Sequence, residues 1–345
     1  MRDEKCPVGG DPMSSNLTCS VAMATYKGAK YVLEQLRSIE AQTVLPDEVV
    51  ICDDVSPDDT VAVIQEYSKT SKLNIRLYQN EKNLGFRKNF EKAISLCACD
   101  VVFLCDQDDF WLNNKVERVL QEFSTDPQLV YAFTDAYVTD ADLKVTNHSI
   151  WSLSGINWAE LDRQAFFDRV QTRVFPLGFQ TAAKREFLLA IMPFLADHDG
   201  WIAVCASAFG TVKAIPEKLV YYRRHENTAS EGAKNLKSSK LSILKKICRM
   251  KYNAYFIYPD CEACNFACIV KYITENSAPL NLDELTNHLH FLDVINTAKD
   301  RNFLFRMASL RKLRKDGSYY TYRGTNKNYI LDSLFMFVNS LKRNR

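Results

Sequence analysis

From residue 17 to about 138 the apolar positions switch back and forth between two spacings, and the switching predicts a fold. "LTCSVAMA" (17–24) is an unbroken apolar run of strand length, while "GAKYVLEQLRSIEAQ" places Tyr31, Leu33, Leu36 and Ile39 at helical intervals. "DEVVICDD" reads as a strand, and "SPDDTVAVIQEYSK" as a helix with Ser56 as its cap and Pro57 in its first turn. The strand "LNIRLYQN", the helix "RKNFEKAISLC" and the strand "DVVFLCD" follow. A βαβαβαβ series predicts an α/β fold with a mainly parallel, Rossmann-like sheet flanked by helices. In such sheets ligands collect at the carboxyl ends of the strands, where the connecting loops diverge. Residues 25–28, 53–54, 80–87 and 106–109 each follow a strand, so all four segments are expected on one rim.

A further strand is expected at 129–138, and the pattern is then irregular to about 173. "PLGFQTAAKREFLLAIMPF" reads as a turn feeding a helix, and "HDGWIAVCASAFG" as a second helix ended by Gly210. "TVKAIPEKLVYYRRHENTA" reads as one or two short strands running into a basic, aromatic loop. From about 236 onward the text is helical and basic. The expected organisation is a leader at 1–16, a domain at 17–230 divided near 138, and a helical C-terminal region at 231–345.

Composition narrows this picture. A chain of 345 residues that is 47% hydrophobic can bury a large core, and a formal net charge of +2 does not call for nucleic acid. The charge is uneven, with twelve Lys and Arg against three Asp from Lys299 to Arg345. Arg306, Arg311, Lys312, Arg314 and Lys315 alternate there with Phe303, Leu304, Leu310 and Leu313, which suits a peripheral contact with an anionic membrane, a solvated face or a homodimer contact. Eleven cysteines, many inside apolar runs, fit free thiols in a reducing compartment, so a cytoplasmic protein is expected. Cys261, Cys264 and Cys268 share one helical face without an obvious fourth ligand, which favours a packed thiol stripe over a metal cluster. No stretch of about 18 apolar residues predicts a membrane span, and residues 1–16 lack the apolar core of a signal peptide.

The most distinctive chemistry is "LCDQDDFW" (104–111), where a buried-looking strand runs into Asp106, Asp108 and Asp109. Carboxylates this close repel unless water, a proton or a cation relieves them. Asp106 and Asp108 can hold a hard divalent cation and leave its other positions to phosphate oxygens; a solvated acidic loop is the alternative. Phe110 turns Asp109 toward the core. The chain has no Gly-x4-Gly-Lys-Ser/Thr, which argues against a P-loop phosphohydrolase.

"SVAMATYKGAKYVLEQLRSIEAQT", "VVICDDVSPDDT", "NEKNLGFRKNF" and "VVFLCDQDDFW", in this order and at these separations, resemble the bacterial family 2 glycosyltransferases of GT-A fold, particularly the rhamnosyltransferase-like members. "HDGWIAV" and "LVYYRRHENTAS" extend the likeness to about residue 230. The resemblance implies a nucleotide-binding half at 17–138 and an acceptor half at 139–230. It implies that Ala24, Thr25 and Tyr26 meet the base and ribose of a UDP- or dTDP-linked sugar and that Asp54 accepts the base N3–H. Asp53 either joins Asp54 there or caps the following helix. Gly85 would let the backbone approach the ligand, with Arg87 and Asn89 reaching the base or diphosphate. Asp108 would bind Mg2+ or Mn2+ directly, Asp106 the ribose or metal, and Gln107 the nucleotide sugar. Gly178, Gln180, Thr181, His198 and Trp201 would face the donor sugar and acceptor. Asp199 would be the general base of an inverting transfer to a glycan or polyprenyl-linked acceptor in cell-surface polysaccharide synthesis. His225 would be a third metal or phosphate ligand, and Arg223 and Arg224 would neutralise the leaving diphosphate. Two rivals remain: a nucleotidyltransferase, although "ATYKGAKY" lacks its Gly-rich basic loop, and a non-catalytic nucleotide-sugar-binding scaffold.

Overall fold

The computed structural model describes residues 17–170, 176–225 and 303–315, with positions 272, 273, 275, 276 and 287. The leader 1–16, Cys261, Cys264, Cys268 and everything beyond 315 lie outside the described residues. Strands β1 (Cys19–Thr25), β2 (Glu48–Asp53), β3 (Ile75–Gln79) and β4 (Val101–Asp106) form a parallel block ordered β3-β2-β1-β4. Nearly every side chain of β1, β2 and β4 is buried, because helices cover both faces. That double cover explains why these strands are apolar without alternation.

On one face Ala22, Val50, Cys52, Val102 and Leu104 pack with Phe90, Ala93 and Ile94 of helix α3 (Phe86–Leu96). On the other, Val21, Met23, Val49 and Ile51 meet Val32, Leu36 and Ile39 of α1 (Val32–Glu40) and Ile64 of α2 (Thr60–Ser68). Val116, Val119 and Phe123 of α4 (Lys115–Thr125) complete that layer. The strand register brings the chemistry level: Ala24 lies beside Cys52 on one side and Asp106 on the other, and Thr25 beside Asp53.

Beyond β4 the sheet is mixed rather than mainly parallel. β8 (Thr181–Lys184) inserts antiparallel between β4 and β6 (Leu129–Thr139), and β9 (Thr211–Arg223) returns parallel to β6. β5 (Phe110–Trp111) closes the edge against β9, and β7 (Val145–Ser149) folds back on β6. One sheet therefore crosses the expected division near 138. The irregular stretch contains α5 (Ile150–Ser154), a 3-10 turn at Trp158–Glu160 and α6 (Arg163–Val170). Trp151, Trp158 and Phe166 surround Phe133 with ring centroids 5.7, 5.7 and 5.6 Å away, which accounts for the two tryptophans there.

Several local expectations are corrected. α2 starts at Thr60 rather than near Ser56, because the Ser56 hydroxyl donates to Asp53 at 2.5 Å and its amide to the same carboxylate at 2.9 Å. β8 lies inside "QTAAKREFLLA", a helix-like string in which pairing on both sides overrides the local preference of its two alanines; the helix there, α7, covers only Arg185–Ala190. β5 and α4 were not predicted. α8 (His198–Phe209) does end at Gly210, but in an extended rather than left-handed conformation. Among the described residues no helix is long and apolar enough to cross a membrane.

Gly210 is required by contact, since a methyl group on its Cα would overlap the Val130 side chain of β6. Gly210→Ala is expected to destabilise the protein by roughly 1–3 kcal/mol, the usual result of inserting a methyl group into packed surroundings, measured by urea unfolding.

Candidate active site

Hydrogen bonds between loops assemble the rim. Thr25 Oγ1 donates to Asp53 at 2.9 Å, the Asp54 amide donates to the Thr25 carbonyl at 2.8 Å, and the Lys27 amide to Ser56 Oγ at 3.0 Å. Gln107 closes the loop after β1 from the other side, accepting from the Tyr26 amide at 3.0 Å and donating to its carbonyl at 2.9 Å. Gly28 lies so close to the Gln107 amide that no Cβ fits. The loop after β3 is tied to Asp54, whose oxygens accept from the Leu84 amide at 2.7 Å, the Gly85 amide at 2.9 Å and Asn80 Nδ2 at 2.8 Å. Gly85 takes φ 79°, a left-handed conformation that favours glycine, and so turns the chain into α3.

The four rim segments thus stand together, but several side chains expected to face a ligand are consumed in holding it. Thr25 and Asp53 are buried against each other. Asn89 is buried, donating to the Cys52 carbonyl at 2.7 Å and accepting from Asn80 at 2.8 Å. Asp53 does not cap α2, whose first turn has no side-chain cap. The side chains left open are the Tyr26 ring, 44% exposed, and the half-buried Arg87 on the first turn of α3.

Beside this rim stands the acid cluster. Burial, then repulsion from Asp108 and Asp199, pushes the Asp106 carboxyl up to about 7. Asp199 is therefore near enough to act on Asp106, although 93 residues separate them (199 − 106). Asp108 Oδ2 lies 2.8 Å from His225 Nε2. Asp109 is buried in the floor, one oxygen accepting from the Arg223 amide at 3.0 Å and the other without a partner. Burial raises its carboxyl well above the usual range, and repulsion from Asp108 and Asp106 adds to the rise.

Two buried cations stand below the cluster. Lys115 donates to the Phe179 carbonyl at 2.6 Å and lies 3.9 Å over the Trp111 ring. Burial lowers its ammonium to about 7, against the pull of Cys105, Asp109 and Asp106. The Arg223 guanidinium donates to the carbonyls of Asp108 at 2.8 Å and Ala141 at 2.6 Å, pairs with Glu34 and stacks on Tyr31. Arg223 is thus a structural clamp and is not open to a diphosphate.

Asp199 enters on the first turn of α8. Its Oδ1 is 2.8 Å from His198 Nε2, an ion-pair distance without the alignment of a hydrogen bond. His198 stacks on Phe90, with centroids 4.3 Å apart. Burial alone would lower the imidazole pKa; Asp199 foremost, then Asp106 and Asp197, outweigh it and raise the value. A Cβ on Gly178 would fall 2.7 Å from Asp199 Oδ1 and 3.0 Å from His198 Nε2, so this glycine lets the 3-10 turn Gly178–Gln180 close on the acid. Thr181 Oγ1 donates to the Gly178 carbonyl at 2.8 Å and Gln180 Nε2 to the Thr134 carbonyl at 2.7 Å. Both are buried supports rather than ligand contacts. Trp201 is also corrected: it is fully buried, with its indole N–H on the Ile191 carbonyl at 2.9 Å.

Sequence reasoning missed Lys115, Arg223 as a clamp, Asn80 and Phe90. Lys115 had one local signal, since it falls on the apolar stripe of α4 with Val119 and Phe123 at i+4 and i+8.

A nucleotide-type rim at the carboxyl ends of a parallel block, with a carboxylate cluster at its edge, defines the class as an α/β enzyme of GT-A architecture. Residues 20–187 match the family described as Glycosyl transferase family 2. The dTDP-rhamnosyl transferase RfbG of Shigella flexneri is 36% identical over 229 residues, 59% of this chain and 72% of that protein. The chain belongs to the family 2 glycosyltransferases. It spans 64% and 58% of the length of two other relatives, from Nostoc and Mycobacterium bovis. Among solved structures, S. aureus TarS 1–349 in complex with UDP-GlcNAc shares the fold at a TM-score of 0.54 and 14% identity, over 95% of this chain and 93% of that one. Mannosyltransferase PcManGT from Pyrobaculum calidifontis, in complex with GDP-Man and Mn2+, shares it at 0.53 and 16%, over 99% and 92%.

The raised values of Asp106 and His198 have the same consequence for stability. A carboxyl whose folded value exceeds its unfolded one binds its proton preferentially in the native state, so that stability is lost as pH rises toward about 7. The His198 contribution is complete below its unfolded value and is lost as pH rises through the folded one. In chelator, the melting temperature is expected to be lower at pH 8 than at pH 5.5. Asp106→Asn should flatten that difference in differential scanning calorimetry.

Proposed function

We propose that the protein transfers a hexose-type sugar, rhamnose being one candidate, from a UDP- or dTDP-linked donor to an acceptor hydroxyl with inversion at the anomeric carbon. The acceptor would be a glycan or polyprenyl-linked saccharide of cell-surface polysaccharide synthesis. One observation carries this reading: Asp199, from α8, reaches the cluster that begins with Asp106 at the end of β4, so a carboxylate open to an acceptor faces carboxylates suited to a cation. The name of RfbG supports dTDP-rhamnose as the first donor to test.

In this reading the Tyr26 ring and Arg87 receive the nucleotide, while Asp53, Asp54 and Gln107 fix the loops that carry them. Asp54 is buried, with both carboxylate oxygens accepting from the loop after β3, so it braces that loop rather than presenting an open oxygen to the base. The donor set fits a hard divalent cation. Asp108 and His225 are already in contact, Asp106 is destabilised by like charge, and carboxylate oxygens with one imidazole suit Mg2+ or Mn2+. Among the described residues no three His, Cys, Asp or Glu side chains stand together in a way that could hold a metal ion, so Asp106, Asp108 and His225 make no ready-formed three-ligand set; the further ligands of such a cation would be phosphate oxygens and water. Such a cation, when bound, supplies Lewis-acid stabilisation of the charge developing on the diphosphate. Arg224, whose Nε is buried without a partner, is the cation of "RRH" that remains for that charge. Asp199 takes the proton from the attacking hydroxyl, and the His198 imidazolium holds it in place. The exposed Arg311, Lys312 and Lys315 of the helix Phe303–Lys315 would suit an anionic membrane surface if the acceptor is lipid-linked.

Asp108→Ala is expected to lower turnover of UDP- or dTDP-linked hexoses about 100-fold or more, with an unchanged circular dichroism spectrum. Full Mn2+-dependent turnover in that variant overturns the cation assignment. Asp199→Asn should leave dTDP binding intact in calorimetry and reduce kcat on the order of 100- to 10,000-fold. Wild-type protein that binds nucleotide but never releases UDP or dTDP from any donor would instead be a non-catalytic binder.

A further inference from the structure

We propose that Phe86 is the platform of the acceptor subsite, and that the acceptor group it receives is a pyranoside ring lying with its C–H face on the phenyl ring. This rests on the glycosyltransferase reading above and names the molecular class to which the transfer is made.

The Phe86 ring is 59% exposed, the most of any large apolar side chain recorded as exposed among the described residues. Single exposed apolar residues are common and mean little alone. What matters is where this ring stands. Its centroid is 5.9 Å from the His198 ring at an interplanar angle of 60°, and His198 is also stacked on Phe90, one turn along the same helix as Phe86, at 4.3 Å. His198 in turn is 2.8 Å from Asp199. An aromatic wall of Phe86, His198 and Phe90 therefore adjoins the carboxylate that would take the acceptor proton, with the outermost ring open.

The position is built rather than incidental. Phe86 is the first residue of α3, directly after left-handed Gly85. The Leu84 and Gly85 amides are both held by Asp54, and Asn80 braces the same carboxylate. Asn89, one turn further along α3, is anchored to the Cys52 carbonyl. The backbone carrying the ring is thus fixed to the donor rim on both sides of it, so ring and nucleotide would keep a constant relation.

The surrounding charge selects the ligand class. Asp106, Asp108 and Asp199 repel an anionic group on the acceptor side, and a single exposed ring standing against the His198 imidazole offers an acyl chain only one ring's width of apolar surface. A pyranose matches both features, since its edge hydroxyls can donate to carboxylates while one face presents only C–H bonds to an aromatic ring. Phe86 stands one imidazole away from Asp199, the group that would take the acceptor proton. The ring beside the base therefore serves the acceptor.

The full chain with Mn2+ and saturating UDP or dTDP would be titrated with methyl α-L-rhamnopyranoside and methyl β-D-glucopyranoside, with saturation-transfer NMR as the readout. At least one glycoside should receive saturation from aromatic protons mainly at its ring C–H positions. Phe86→Ala should weaken that binding roughly 3- to 10-fold, as expected for one aromatic stacking contact, whereas Phe86→Trp should preserve it. Nucleotide affinity measured by calorimetry should be the same in all three proteins. Equal glycoside binding by Phe86→Ala, no glycoside binding by nucleotide-bound wild type, or a parallel loss of nucleotide affinity would each overturn the proposal. If wild type binds neither nucleotide, the transferase reading fails first and takes this proposal with it.

Discussion

Mutual repulsion among carboxylates at the mouth of a dry sheet is the constraint on which the rest of the site depends. Asp106, Asp108, Asp109 and Asp199 converge there, and two charges about 5 Å apart at an effective dielectric constant near 20 repel by roughly 3 kcal/mol. The fold answers with internal donors and basic groups, namely Lys115 beneath β4, the Arg223 backbone amide on Asp109, the His225 ring nitrogen 2.8 Å from Asp108 and His198 beside Asp199. For Asp106, burial and then repulsion from Asp108 and Asp199 outweigh the pull of His198 and Lys115, and its carboxyl is pushed up to about 7.

The same need explains how the two halves are joined. β9 returns beside β6, pairs with the short β5 after the acid loop, and brings Arg223 to the Asp108 carbonyl and, two residues past its end, His225 to the Asp108 carboxylate. β8 sits directly against β4 and carries the preceding turn, so that Gly178 abuts Asp199 while Lys115 holds Phe179 from below. Sheet pairing, and not a hinge between separable units, sets the distance between donor rim and candidate base.

Support and recognition are divided among neighbouring residues. Thr25, Asp53, Asn89, Gln180 and Thr181 satisfy groups that would otherwise be buried without partners, a cost of about 1–3 kcal/mol each, while Gln107 ties the exposed Tyr26 backbone. Tyr26, Arg87 and Phe86 stand on the loops so fixed. Residues near each other in a motif therefore do different work, and a motif match cannot separate them.

The parallel block, its rim and the acids at its strand ends were legible in the sequence because they follow from local pattern. Strands covered on both faces read as unbroken apolar runs, and a carboxylate that ends such a run stands at the carboxyl edge of the sheet, as Asp53 and Asp106 do. The ordered motif strings likewise pointed to the family. Tertiary structure alone decided that "TAAK" is a strand, that Trp201 belongs to the core, and that Arg223 is a clamp rather than a ligand for phosphate. Each of those outcomes turns on which distant carbonyl, carboxylate or strand edge a group meets, and the periodicity that reports burial carries no record of the partner.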